Sequence, residues 1–283
     1  MGDYVYVVLS FSTTLFVRSG NAYRCCRPNT YATGTNSSTA TMESYYLVID
    51  ATMIRLHNLQ TGYNGKSISK PVSGRFERGS MTAIIGANGS GKSTLLKTIA
   101  GLLPPVGGHL DFGDQKTRPR IGYLPQQIDI DRQFPLKVFE VVAIGCWPAT
   151  GLLRSINTKQ QTLIWQALTR VGLNDKAHCT ICSLSNGQFQ RMLFARLLVQ
   201  QAPLVLLDEP FTGIDQQTCS LLITFVHQLH KQGSTIIVVL HDNIIVAKHF
   251  PATLMLSQLN YAWGPSADIL IKFFTPTPLS VQH

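Results

Sequence analysis

GANGSGKST, residues 86–94, lies between two apolar runs, Met81–Ile85 and Leu95–Ile99. It contains the spacing G-x-x-x-x-G-K-S, with Gly86, Gly91, Lys92 and Ser93 at the fixed places. The run before it predicts a short buried strand. Lys92–Ala100 predicts a helix, stopped by Gly101 and then by Pro104–Pro105. This strand–loop–helix context is the one the motif requires. Gly89 and Gly91 permit backbone angles that other residues resist, so consecutive N–H groups can turn inward around a phosphate. The helix N-terminus adds a partial positive charge. Lys92 supplies a full charge to the β- and γ-phosphates, and the Ser93 hydroxyl suits Mg²⁺. The expected nucleotide-binding set is therefore Gly86, Asn88, Gly89, Ser90, Gly91, Lys92, Ser93 and Thr94.

A second constellation, LVLLDEP, spans residues 204–210. Four apolar residues predict a buried strand with two carboxylates at its C-terminal end, the edge where open α/β sheets bind ligands. Asp208 is suited to hold the Mg²⁺ hydration shell. Glu209 is placed to orient or deprotonate a water for attack on the γ-phosphate.

Around these two stretches the chain alternates strands and helices. Met53–Leu59, Met81–Ile85, His109–Phe112, Ile121–Leu124, Leu204–Leu207 and Thr235–Leu240 read as strands, and Gly62–Gly65 as a turn. Leu136–Ile144, Thr158–Val171, Gln188–Gln200 and Gln216–Lys231 read as helices. Short wholly apolar strands between helices argue for a parallel sheet covered on both faces, an α/β fold. Residues 1–52 have a different texture. Arg27–Thr41 is rich in Ser, Thr, Asn and Gly and reads as flexible. An N-terminal extension with natural translation starting at Met53, a targeting leader, and an ordered N-terminal strand are the three readings of this segment, and a dispensable extension is the expected one. Residues 271–283 read as a C-terminal tail.

Composition narrows the class. The 283-residue chain is 45% hydrophobic and 9% aromatic, enough for a packed core. Its net charge is +9, and the excess lies beyond residue 52, because Arg18, Arg24 and Arg27 balance Asp3, Glu43 and Asp50. Without a block of five consecutive Lys or Arg, no nucleic-acid arm is expected. The six cysteines are too sparse for a disulfide scaffold. Cys179-x-x-Cys182, beside His178, lacks a second pair and is read as ordinary packing, not as a metal or redox site. No run of 18 uncharged apolar residues exists, so no transmembrane helix is expected. Tyr4–Val17 is too short and too polar for one, and it lacks the basic start of a signal peptide.

LSNGQFQR, residues 184–191, resembles the LSGGQ signature of the ATP-binding-cassette (ABC) ATPases. Tyr63 resembles the aromatic residue that stacks on adenine, although a turn tyrosine also packs on a surface. Gln126 in IGYLPQ resembles the Q-loop glutamine, with a register at Gln127 as the alternative. TGID, residues 212–215, resembles the D-loop with Asp215 as its acid, and His241 after TIIVVL resembles the switch histidine that contacts the γ-phosphate. The likeness covers about residues 53–270 and implies a P-loop NTPase: a mostly parallel sheet, an antiparallel β subdomain, and a helical subdomain over about 127–201 carrying the signature. The chain departs from the pattern at Asn186, where Gly is usual, while Ser185, Gly187 and Gln188 are retained.

The same resemblance implies Mg-ATP as ligand and Glu209, His241 and Lys92 as the groups acting on it. It implies Ser93, Gln126 and Asp208 around Mg²⁺, and a head-to-tail homodimer in which Ser185 and Gly187 of one copy close on the nucleotide of the other. IDIDRQFPLKVFEVVAIGCWP (128–148), EPFTGID and AWGPSADIL (262–270) are similar to the ATPases of manganese, zinc and iron-chelate importers. The expectation is the ATPase subunit of a metal-ion transporter. It would be peripheral on the cytoplasmic side of the inner membrane, coupled to polytopic permease subunits and an external substrate-binding protein. An ABC ATPase for another solute (siderophore, vitamin B12 or haem), a soluble non-transport ABC ATPase, and a module that binds nucleotide without turnover are the alternatives.

Overall fold

The computed structural model describes residues 6–7, 15–19, 22–26, 52–113, 118–126, 132–147, 156–257 and 260–274. The segment 27–41, Gln127, residues 128–131, and the tail beyond residue 274 lie outside the described residues. The chain forms two units, Met1–Val48 and Ile49–His283. In the first, β1 (Tyr6–Val7), β2 (Leu15–Ser19) and β3 (Ala22–Cys26) pair as an antiparallel sheet.

The second unit opens with β4 (Thr52–Gln60). The boundary expected between residues 52 and 53 falls inside this strand: Thr52 is buried and pairs with Glu77. Asn64 and Gly65, both at positive φ, turn β5 (Gly62–Tyr63) into β6 (Lys66–Ser67), so a hairpin tip holds Tyr63. β7 (Val72–Glu77) pairs with one edge of β4. β8 (Met81–Ile85) is wholly buried and leads through the glycine-rich loop into α1 (Lys92–Ala100). Gly101 closes α1 in the left-handed conformation, its N–H reaching the carbonyls of Lys97 and Thr98. β9 (Gly107–Asp111) then pairs with the other edge of β4, completing an antiparallel sheet in the order β7-β4-β9.

β10 (Ile121–Leu124) precedes the helical region, which comprises α2 (Val138–Ala143), α3 (Thr158–Arg170) and α4 (Asn186–Gln200). β11 (Leu204–Asp208), α5 (Gln216–Lys231), β12 (Thr235–Val239), α6 (Asn243–His249), β13 (Ala252–Leu256), β14 (Tyr261–Pro265) and α7 (Ser266–Phe274) follow. The main sheet has the order β10-β11-β12-β8-β13-β14, parallel except for the last pair. Helix α7 continues through 271–274, so these residues are not part of a tail.

The central strands feed two separate cores by alternation. Ala83, Ile85, Val205, Leu207, Ile236 and Val238 pack with the helical region. Ile84, Leu204, Leu206, Ile237 and Val239 pack with α1 and the antiparallel sheet. This two-sided burial is why the strands read as unbroken apolar runs.

Candidate functional site

The β8–α1 loop is shaped by its glycines. Gly86 (φ 145°), Gly89 (φ 77°) and Gly91 (φ 93°) all take positive φ. At Gly86 a Cβ would lie 2.0 Å from the Leu256 carbonyl oxygen, a backbone atom that cannot step aside. Gly86→Ala is therefore expected to destabilise the fold by at least about 2 kcal/mol, from backbone strain plus the clash. A lowered denaturation midpoint checks this, and an unchanged midpoint contradicts it.

Lys92 is buried and donates to the carbonyl oxygens of Gly86 and Ala87, each at 2.9 Å. Burial pushes its ammonium pKa down, and the carboxylates of Glu209 and Asp208 oppose the shift. Ser90 Oγ is buried without a hydrogen-bond partner among the described residues. Ser93 Oγ donates to Asp208 Oδ1 at 2.9 Å, joining the start of α1 to the end of β11. Burial raises the Asp208 carboxyl pKa; Glu209 adds to the rise, and the Ser93 bond with Lys97 and Lys92 draws it back.

Glu209 directly follows β11. Its N–H continues the ladder to the Val239 carbonyl (3.1 Å) while its own φ is 50°, unusual for a residue with a side chain. Both carboxylate oxygens are engaged. Oε2 accepts from Gln126 Nε2 at 2.7 Å and, more weakly, from Thr212 Oγ1 at 3.4 Å; Oε1 contacts His241 Nε2.

Lys92, Ser93, Gln126, Glu209 and His241 converge on one cleft of about 840 Å³. Of the sequence-predicted residues, Tyr63, Asn88, Gly89, Gly91, Lys92, Ser93, Thr94, Gln126, Glu209 and His241 line it. Ile68, which the sequence does not single out, lines it as well. Gly86, Ser90 and Asp208 do not, although Gly86 and Asp208 are bonded to Lys92 and Ser93, which do. Neither do Ser185, Gly187, Gln188 and Asp215. They form a second group. Ser185 caps α4 by accepting from the Gln188 N–H (3.3 Å), and Gln188 Oε1 accepts from the Ser185 N–H (3.0 Å). Asp215 caps α5 through Thr218 N–H (2.8 Å) and Thr218 Oγ1 (2.7 Å), bonds that lower its pKa. A Cβ on Gly187 would come 3.1 Å from Thr218 Oγ1 and 3.4 Å from Asp215 Oδ2, so the starts of α4 and α5 abut.

Three contacts tie the signature region to its surroundings, and none is signalled by motif spacing. Arg132 Nη1 donates to Asn186 Oδ1 at 2.9 Å. The same guanidinium sits 4.0 Å over the Phe189 ring. Gln190 Nε2 donates to the Pro210 carbonyl at 2.8 Å, immediately after Glu209. Asn186 thus has a partner that a glycine would lack. Cys179 and Cys182 are free thiols, and His178 packs edge-on against Trp165.

The family described as ABC transporter matches residues 69–212. The chain belongs to the ABC transporter family. Relatives within it include the manganese transport system ATP-binding protein MntB of Bacillus subtilis, 37% identical over 76% of this chain and 88% of that protein. The zinc transport system ATP-binding protein TroB of Treponema pallidum is 38% identical over 75% of this chain and 80% of that protein. A solved ABC transporter of the metal-chelate type, in an inward-facing conformation, superposes with a TM-score of 0.69 at 26% identity, over 77% of this chain and 85% of that one. This ABC protein is an ATP-binding, ATP-hydrolysing subunit with the P-loop α/β fold that its sequence predicts.

Proposed function

We propose that the chain powers transport of a divalent transition metal or its chelate by hydrolysing ATP between two copies of itself. The observation that carries this reading is the division of the motif residues: one cleft holds the phosphate loop, Gln126, Glu209 and His241, while Ser185, Gly187 and Asp215 stand apart from it. Each cleft is complete only when a second copy supplies its signature. The metal cargo rests on relatives named for manganese and zinc transport and on the resemblance of residues 128–148.

The cleft fits Mg²⁺. Ser93 and Asp208 place two oxygen donors side by side, and the buried Asp208 carboxylate is not fully offset by its protein partners, which favours a hard cation. Ser93, Asp208 and Gln126 would hold it. When bound, Mg²⁺ would supply positive charge against the nucleotide phosphates. Lys92 binds the same phosphates, the loop N–H groups orient them, and Tyr63 stacks on the adenine. Glu209 takes a proton from the attacking water. Among the described residues its Oε1 contacts only His241 and so keeps a lone pair for that water, while Gln126 and His241 fix the orientation of the carboxylate. His241 and the partner copy's signature grip the γ-phosphate, and its loss on hydrolysis releases the closed pair.

Among the described residues no helix is long and apolar enough to cross a membrane, so separate permease subunits provide the path. The chain then docks on the cytoplasmic side of the membrane, and an external binding protein delivers the cargo. The experiment is uptake of Mn²⁺ and Zn²⁺ by vesicles carrying the protein with its co-purifying membrane partner. ATP-dependent accumulation is expected with the wild type and not with Glu209→Gln. Uptake confined to haem, a siderophore or vitamin B12 would replace the cargo. Co-purification with ribosomes or DNA in place of a polytopic membrane protein would overturn the transport role.

A further inference from the structure

Strands β4 and β9 pair Arg55 with Asp111, Leu56 with Leu110 and His57 with His109. Alternation sends Leu56 into the core and puts Arg55, His57, His109 and Asp111 on the opposite face. His109 and Asp111, two apart on β9, therefore stand side by side with His57 across from them. One ligand atom from each of His57, His109 and Asp111 lies within 4.8 Å of the others, and among the described residues this is the only such group of three. None of the three lines the nucleotide cleft.

The chemistry of the group is that of a chelate. His57 Nε2 lies 2.7 Å from Asp111 Oδ2. Asp111 Oδ1 also accepts from the Gly113 N–H at 3.1 Å, which fixes the orientation of the carboxylate. The His57 and His109 rings stack with centroids 4.5 Å apart and planes 15° apart. A simple ion pair needs only one imidazole; the second supplies the third ligand. Parallel rings cannot both aim at one point, so exposed His109 must turn to complete the set. Paired strands, not a loop, hold the three Cα positions.

We infer that His57, His109 and Asp111 bind a divalent transition cation of the imidazole-preferring kind, such as Zn²⁺, on the outer face of the antiparallel sheet. Two imidazoles and one carboxylate, with a fourth position open to water, suit Zn²⁺; Mg²⁺ and Ca²⁺ favour all-oxygen sets. A bound cation would bridge β4 to β9. Because β4 runs on to the hairpin bearing Tyr63, it would brace the strand that leads into the nucleotide cleft.

The test uses metal-stripped full-length protein in excess Mg²⁺. Calorimetric titration is expected to show saturable Zn²⁺ binding, weakened at least about ten-fold by His109→Gln and by Asp111→Asn. Co²⁺ in place of Zn²⁺ should give visible bands without sulfur charge transfer, separating this site from the free cysteines. A wild type without saturable binding, or variants that bind as tightly as it does, overturns the inference. A readout that needs no variant is histidine acylation mapped by mass spectrometry. Zn²⁺ should protect His57 and His109 and leave His178 unchanged, and equal labelling with and without Zn²⁺ also overturns it.

Discussion

Glu209→Gln is expected to keep ATP binding and to cut phosphate release by about 10²–10⁴-fold, the range of general acid–base assistance. The replacement preserves shape and removes the proton acceptor. It also disturbs the local network. Glutamine has one acceptor oxygen where Glu209 accepts from Gln126 and contacts His241, so either the Gln126 amide must turn or His241 must present Nε2 as an acceptor. Both effects act on turnover; neither touches the phosphate loop. On the reading proposed above, the variant loaded with ATP persists as a dimer, which light scattering detects. Turnover near that of the wild type would remove Glu209 from its role. A loaded variant that stays monomeric at every concentration, with and without its membrane partner, would remove the shared site.

Lys92→Ala is expected to fail at the earlier step. The ammonium sits inside the loop on the carbonyls of Gly86 and Ala87, and on the reading proposed above its charge serves the phosphates. Losing one charge-assisted hydrogen bond costs about 1.5–3 kcal/mol, or about 10–150-fold in nucleotide affinity. Titration with a fluorescent ATP analogue measures this directly. The two variants thus separate binding from chemistry: one raises Kd, the other lowers the rate of bound nucleotide. An unchanged Kd in Lys92→Ala would contradict the loop's assignment.

Much of this was legible in the chain because the decisive signals are local. The runs at 81–85, 204–207 and 235–240 are apolar since both faces of their strands are covered, and glycine and aspartate mark the bends where ligand-facing groups emerge. Elements defined by distant partners were harder to see. Val72–Glu77 buries only Val72 and Phe76, and its pairing with β4 crosses the hairpin between them. The last strand, β14 (Tyr261–Pro265), has no buried position and is held by β13, so it carries no alternation of apolar and polar residues to read. Ile68 reaches the cleft only because the β5–β6 hairpin folds back, and Arg132 meets Asn186 across 54 residues of chain. Such roles come from tertiary placement, which spacing does not encode.

The alternating burial of β11 has a consequence for the chemistry. Leu204 and Leu206 belong to one core and Val205 and Leu207 to the other, so a slip of one residue would exchange both sets of contacts. The same slip would swing Asp208 away from Ser93 and shift Glu209 off its neighbours. Oily interior and reactive edge are therefore locked by a single mechanical setting, and the strand cannot lose its aim without first losing its seat.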